Sequence, residues 1–354
     1  MDRRRFFRPS QLARVAPPLV PFVLPDEPVQ LGDLPLLRFS RRAMATTFEL
    51  AVPFGIPLAQ FAAMAALDEI DELESQLTVY RDDSEISLLN THAHEQPQPV
   101  EAQLFALLGN AQQLWHDTAG AFDIATGALI KAWGFYRRAG RVPTAREQAE
   151  AMMQTGFRYV HLDPSSQKVH LLRPGVEFNL GAIGKGYALE RAADLLRGRF
   201  DIGSALLSGG GSSVVAIGAP PGQSGWCVAL QHPTILGAHL GQLRLMDRAM
   251  GTSAATFQYF EYNGKKYGHL LDPRQGRPAQ GVAHVTVVAP TATQADALST
   301  AFFVLGPEGT RRYCEIHAEI GVVLLPDDPA AELMTFNLSQ TEFIPSPAIY
   351  APEA

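Results

Sequence analysis

An α+β fold is what the sequence predicts, on three observations. Helix-period and strand-period segments alternate irregularly rather than in strict β-α-β order, short strand-like runs crowd together in the second half of the chain, and Asn263-Gly264 sits between two alternating segments as a strong hairpin signal. The chain has 354 residues, 46% of them apolar, enough to bury a full core in one large or two smaller domains. It shows no internal repeat and no linker that forces a boundary. The expected organisation is therefore one domain over 37–354, behind an irregular proline-rich segment over 1–36.

The elements follow in order. "FELAVP", Phe48 to Pro53, reads as a strand. Leu58 to Leu77 repeats apolar residues at Phe61, Ala65, Ile70, Leu73 and Leu77, the spacing of an amphipathic helix whose acids, Asp68 to Glu74, form a solvated face. Glu101 to Gly120 reads as a second helix with Gly120 as a left-handed cap, and Arg158 to Leu172 as two short strands around the turn Asp163-Pro164-Ser165-Ser166. A helix is expected from about Tyr187 to Leu196, followed by the strand-like runs "ALLSG", "SVVAIGA", "WCVALQ" and "LGQLRLM" and by the hairpin around Asn263-Gly264. Val282 to Pro290 is a buried-strand pattern, and Thr291 or Thr293 caps a helix that Gly306-Pro307 stops near Leu305.

Charge and composition exclude several classes. A net charge of −7, with no basic run beyond the first few residues, does not suit a nucleic-acid backbone. Cys227 and Cys314 are the two cysteines and lie far apart, which excludes a disulfide framework, a thiolate zinc site and a cysteine lipid anchor, so a metal here would be held by oxygen or histidine. No run approaches 18 apolar residues, so no transmembrane segment is expected. The opening arginines and phenylalanines of "MDRRRFFRPSQLARVAPPLV" are ordered as in a twin-arginine export signal, but the apolar stretch is short and proline-laden. Export to the periplasm and retention in the cytoplasm both stay open.

Chemistry concentrates in a few stretches. In "NLGAIGKGYALERAADLL", Asn179 to Leu196, Gly181, Gly184 and Gly186 permit close backbone approach, and Lys185 adds a positive charge where a following helix is already positive. An anion is the expected guest, a plain strand-to-helix turn the alternative. The stretch is neither a Walker loop nor GxGxxG, which removes support for an NTPase or a dinucleotide dehydrogenase. Asp296 and Thr300, four apart near the start of a helix, offer the oxygen ligands that a hard cation accepts; equally, Thr300 can bond back to the Asp296 carbonyl. His269 ends a hairpin strand, where an imidazole can reach a cleft as a proton acceptor, and Asp272 and Arg274 after it can fix the turn or approach an anion. "LLSGGGSSV" is a ligand-binding backbone or a flexible turn, and Tyr80 and Phe122-Asp123 add an aromatic and a polar group among apolar neighbours.

The order of these segments carries more than any one of them. "MATTFEL", "YRDDSEISLLN", "FDIATGALIKAWGF", "NLGAIGKGYALERAADLL", "LLSGGG", "MGTSAATFQYF", "HLLDPRQGRP" and "PTATQADALSTAFFVLG", spread from Met44 to Gly306, resemble the successive motifs of the FAD:protein FMN transferases, the ApbE family. The resemblance implies a single T-fold-like domain with mixed or antiparallel sheets and packed helices. It implies a transferase that moves the FMN half of FAD onto a threonine or serine hydroxyl of a flavoprotein in a redox complex, with Mg²⁺, and releases AMP. By position, Met44, Tyr80, Ala121, Phe122 and Asp123 would line the flavin side, Asn179, Lys185 and Leu270 would contact FAD, and His269 would be the base. The Ala182 carbonyl, Asp296 and Thr300 would hold the metal. The chain departs from the family pattern at Ala45 (usually Gly), Asn179 (usually Asp), Gly211-Ser212 (where the family usually has an acid after the glycine pair) and Gln275 (usually Thr). An FAD pyrophosphatase using the same residues, and an FAD-binding protein without turnover, are the alternatives.

Overall fold

The computed structural model describes residues 35–346 except 138, 256–258 and 329; the proline-rich segment falls outside them up to residue 34. Its centre is an eight-stranded sheet whose strands, in spatial order, are Leu36–Ala43, Thr46–Pro53, Ala205–Gly209, Ser213–Ile217, Ala249–Ala254, Val282–Ala289, Gly321–Pro326 and Met334–Phe336. Every neighbouring pair is antiparallel. Spatial order equals chain order, so the sheet is a meander interrupted by long helical excursions.

Both faces of this sheet are covered, which explains why its strands read as near-continuous apolar runs. Leu50, Leu207, Val215, Val285, Val287, Val322 and Leu324 face one core, shared with the helices. Leu206, Val214, Ala216, Met250, Val288 and Val323 alternate with them and face a second core, closed by a three-stranded sheet whose Trp226, Val228, Leu230, Leu243 and Leu245 point inward. The expected α+β architecture is thus a helix layer, a large antiparallel sheet and a small antiparallel sheet.

The helices are α1 (Ala59–Leu77), α2 (Glu85–His92), α3 (Ala102–Asp117), α4 (Gly127–Ala132), α5 (Ala145–Met153), α6 (Gly184–Phe200) and α7 (Ala292–Ile316). Several depart from the sequence reading. In α1 the buried stripe is Ala59, Ala62, Ala63, Ala66, Leu67, Ile70, Leu73 and Leu77, while Phe61 is exposed and packs edge-on against Phe200. Alanines let α1 sit close to its neighbours; the larger Phe61 does not fit that seam. The acids of α1 are more than a solvated face, since Arg41 pairs with Asp68 and Asp71 and Arg191 pairs with Glu69. Helix α6 begins at Gly184, taking Gly184 and Gly186 into its first turn and leaving Gly181 in the turn before it. In α7 the helical path breaks at Gly306 (φ 72°), as Gly306-Pro307 predicts, but Pro307 then opens a further helical segment to Ile316, a first-turn position that proline tolerates. Helix α5, closed by a Thr144–Glu147 capping box, and α2, capped by Ser84, have no counterpart in the sequence reading.

Candidate functional site

One end of the helix layer opens into a cleft of about 480 Å³. Its walls come from segments remote in sequence: the Met44-Ala45 turn, the loop after α1, the segment before α4, the α6 N-terminus, Thr252-Ser253, the loop after the Lys265–Gly268 strand, and α7. Met44, Tyr80, Ala121, Asp123, Asn179, Ala182, Lys185, His269, Leu270, Asp296 and Thr300 all line it. Phe122 does not. Its ring is fully buried in the helix-side core, so its neighbours Ala121 and Asp123 are the residues that meet the cleft.

The deepest feature is Asp296, almost fully buried on the first turns of α7. Gly186 makes that position reachable: a Cβ there would stand 2.2 Å from the Ala292 carbonyl oxygen, and one at Gly251 would stand 2.4 Å from that of Ala295. With hydrogens only, the Ala249–Ala254 strand and the start of α6 both press against α7. Asp296 Oδ2 then accepts the Gly186 N–H at 2.9 Å, Oδ1 accepts the Ser213 hydroxyl at 3.2 Å, and Lys185 Nζ stands 3.5 Å from Oδ1. The anion at the glycine-rich helix start is, in this structure, the protein's own carboxylate. It satisfies one of the orphan N–H groups of α6, whose first turn has no side-chain cap of its own.

Around it lie more oxygens. Thr300 Oγ1 is 3.5 Å from Ser253 Oγ, which is 2.9 Å from Ser299 Oγ, and Ser299, not Thr300, bonds back to the Asp296 carbonyl at 2.8 Å. Thr300 is therefore left facing the cleft. Among the described residues no group of three His, Cys, Asp or Glu side chains is placed to hold a metal. One carboxylate, hydroxyls and the Ala182 backbone form a sparser, all-oxygen set, and it fits a hard cation such as Mg²⁺ that completes its shell with substrate phosphates and water. Ser213 and Ser253 carry only a weak signal in the sequence, a hydroxyl run inside otherwise apolar strands.

The other walls are apolar and turn-built. Met44 and Ala45 form the hairpin tip between the first two strands with φ of 48° and 60°, a conformation costly for residues with a Cβ and the reason glycine suits position 45. Tyr80 is 65% exposed at the rim, its ring tilted 5.0 Å from that of Tyr136, which donates its hydroxyl to the Val79 carbonyl at 2.6 Å. Tyr136, like Ser213 and Ser253, is not among the candidate residues that the sequence offers. Asp123 accepts the N–H groups of Ala125 (2.7 Å) and Phe157 (2.9 Å), yet burial outweighs both and pushes its carboxyl up to about 6. Asn179 Oδ1 accepts the Gly181 N–H at 3.0 Å in a local turn. Asp272 and Arg274 fix the turn after His269: Arg274 Nε meets Asp272 at 2.9 Å, and Gln275 Nε2 donates to the same carboxylate at 2.9 Å. Gly210 and Gly211 of "LLSGGGSSV" form a hairpin turn at positive φ, from which Ser212 reaches the cleft.

A sequence model described as the ApbE family matches residues 44–324. The chain belongs to the ApbE family. Among its relatives, a Treponema pallidum protein named FAD:protein FMN transferase is 36% identical over 265 residues, 69% of this chain and 72% of its own length. An Escherichia coli K12 protein of the same name is 31% identical over 285 residues, 75% of this chain and 78% of its own. Among solved structures, the ApbE protein of Thermotoga maritima superposes with a TM-score of 0.78 at 29% identity, over 85% of this chain and 96% of that one. The flavin transferase ApbE of Vibrio cholerae gives 0.76 at 25% identity, over 87% and 98%. The ApbE-type fold expected from the motifs is thereby the fold observed.

Proposed function

We propose that this chain transfers the FMN half of FAD to a threonine or serine hydroxyl of a partner flavoprotein and releases AMP. The observation that carries the reading is the convergence, in one cleft, of an imidazole, a buried carboxylate ringed by hydroxyls, a lysine at a helix start and a rim tyrosine. The names of its ApbE relatives support the same reaction. Mg²⁺ held by the Ala182 carbonyl, Asp296 and Thr300 would neutralise charge on the pyrophosphate oxygens.

The side chains supply positioning and a proton acceptor. Tyr80 and Met44 flank the flavin ring, and Lys185 meets the pyrophosphate. His269 takes the proton of the acceptor hydroxyl as its oxygen bonds to the FMN phosphorus, while the phosphoanhydride bond breaks and AMP leaves with the bonding pair.

The test is AMP release from FAD and Mg²⁺ by the full chain, with and without an acceptor domain carrying the threonine. Acceptor-dependent AMP with flavin covalently on that threonine is the expected result. AMP without acceptor would replace the reading by an FAD pyrophosphatase, and tight FAD binding with no AMP by a flavin-binding protein. Asp296→Ala should lower turnover by at least about a hundredfold, since it removes the one carboxylate of the cation set; undiminished turnover would refute that set.

A further inference from the structure

Two nearly buried carboxylates pair with cations near the cleft, and they are held very differently. Asp272 is saturated: it accepts from Arg274 N and Nε at 2.9 Å, from a terminal guanidinium nitrogen at 3.0 Å and from Gln275 at 2.9 Å. Asp296 takes one backbone N–H and one hydroxyl, and its cation stands off at 3.5 Å, well beyond the 2.7–2.9 Å of a tight charge-assisted bond. That cation, Lys185, sits in the first turn of α6, where the helix dipole disfavours positive charge and where only an anion offsets it. Its stem is flexible and its ammonium is a point charge with rotatable donors, so it can change partners without rebuilding the helix.

We propose that Lys185 is a tethered counter-ion that occupies the Asp296 carboxylate until the pyrophosphate of FAD draws it away, so that a divalent cation and FAD bind with mutual dependence. The proposal rests on the cation site proposed above. Without nucleotide, a cation arriving at Asp296 meets the Lys185 ammonium, whose one ion pair among the described residues is with Asp296 itself. With FAD present, the phosphates take the ammonium and complete the cation's oxygen shell. Linkage then requires that each ligand raise the other's affinity by the same factor.

The test is Mn²⁺ binding by the full chain, followed by electron paramagnetic resonance of the free ion, with and without FAD and with no acceptor. Lys185→Met should bind Mn²⁺ alone about tenfold more tightly than wild type, because a like charge beside the site is gone, and FAD should raise its Mn²⁺ affinity by a smaller factor. Lys185→Arg should stay weak for Mn²⁺ alone. In EDTA the Met variant should also melt lower than wild type and recover on adding Mn²⁺, as the buried carboxylate loses and regains a cation. Mn²⁺ affinity in the absence of FAD that is unchanged or weaker in Lys185→Met overturns the proposal; Lys185→Gln answers the same question if the Met variant does not fold. Asp296→Ala with wild-type Mn²⁺ affinity in the presence of FAD overturns the cation site itself, a separable result.

Discussion

Gly184→Ala and Gly186→Ala, two residues apart in one glycine-rich helix start, should behave oppositely. At Gly184 the nearest atom to an added Cβ is Leu180 Cβ at 3.9 Å, an ordinary contact. Alanine there should be neutral or stabilising by up to about 1 kcal/mol, through the lower backbone entropy it leaves the unfolded chain. At Gly186 the added Cβ falls 2.2 Å from the Ala292 carbonyl oxygen and 2.7 Å from Asp296 Cβ. Backbone cannot rotate aside as a side chain does, so α6 and α7 must part by about 1 Å to restore a normal contact. Overpacking of that kind costs about 1–3 kcal/mol. The same movement lengthens the Gly186 N–H bond to Asp296, now 2.9 Å, and displaces the carboxylate from the other oxygens. A 1 Å misplacement at a reacting centre costs on the order of a hundredfold in rate. Urea unfolding and FAD-dependent AMP release on both variants provide the assay. Gly186→Ala with wild-type stability and wild-type turnover would refute the reasoning that helix proximity places Asp296.

Three further outcomes are expected. His269→Ala should lower kcat by about 10²–10⁴ while FAD still binds, as removal of a general base does; a kcat within a few-fold of wild type would exclude that role. Tyr80→Ala should raise KM for FAD by about twofold to tenfold with kcat little changed, the range of an aromatic stacking contact, and an unchanged KM would remove Tyr80 from the flavin wall. Asp123 carries a pH prediction: with its carboxyl pushed up to about 6 by burial, the folded chain keeps a proton that the unfolded chain has lost above about 4. Its contribution is therefore full below pH 4 and is lost as pH rises through 6, amounting to about 3 kcal/mol. His284, fully buried and pushed down to about 3, acts in the opposite sense over an overlapping range, so the difference between wild type and Asp123→Asn isolates the effect. A pH-independent difference in urea midpoint between pH 4 and 7 would contradict it.

The features legible in the sequence were local or ordered along the chain. Asn263-Gly264 at φ of 50° and 74° makes the predicted hairpin because its turn is decided within two residues. Gly306-Pro307 breaks α7 for the same local reason. The ordered motifs from Met44 to Gly306 gave the family, because a shared cleft leaves its marks at many separate positions. Where neighbours in space mattered, the local pattern misled: Phe61 satisfies a helical period but lies outside an alanine-tight seam, and Phe122, between two residues that meet the cleft, packs its ring in the core. The pairing of Asp296 with the Gly186 N–H, 110 residues away, and with Ser213, 83 residues away, was settled only by tertiary structure. Periodicity reports which face of an element is buried; it says nothing of which helix ends a sheet will bring together. Here that meeting depends on two glycines, 186 and 251, whose missing side chains let α7 approach both a helix and a strand closely enough for one carboxylate to serve the helix start and the cleft at once.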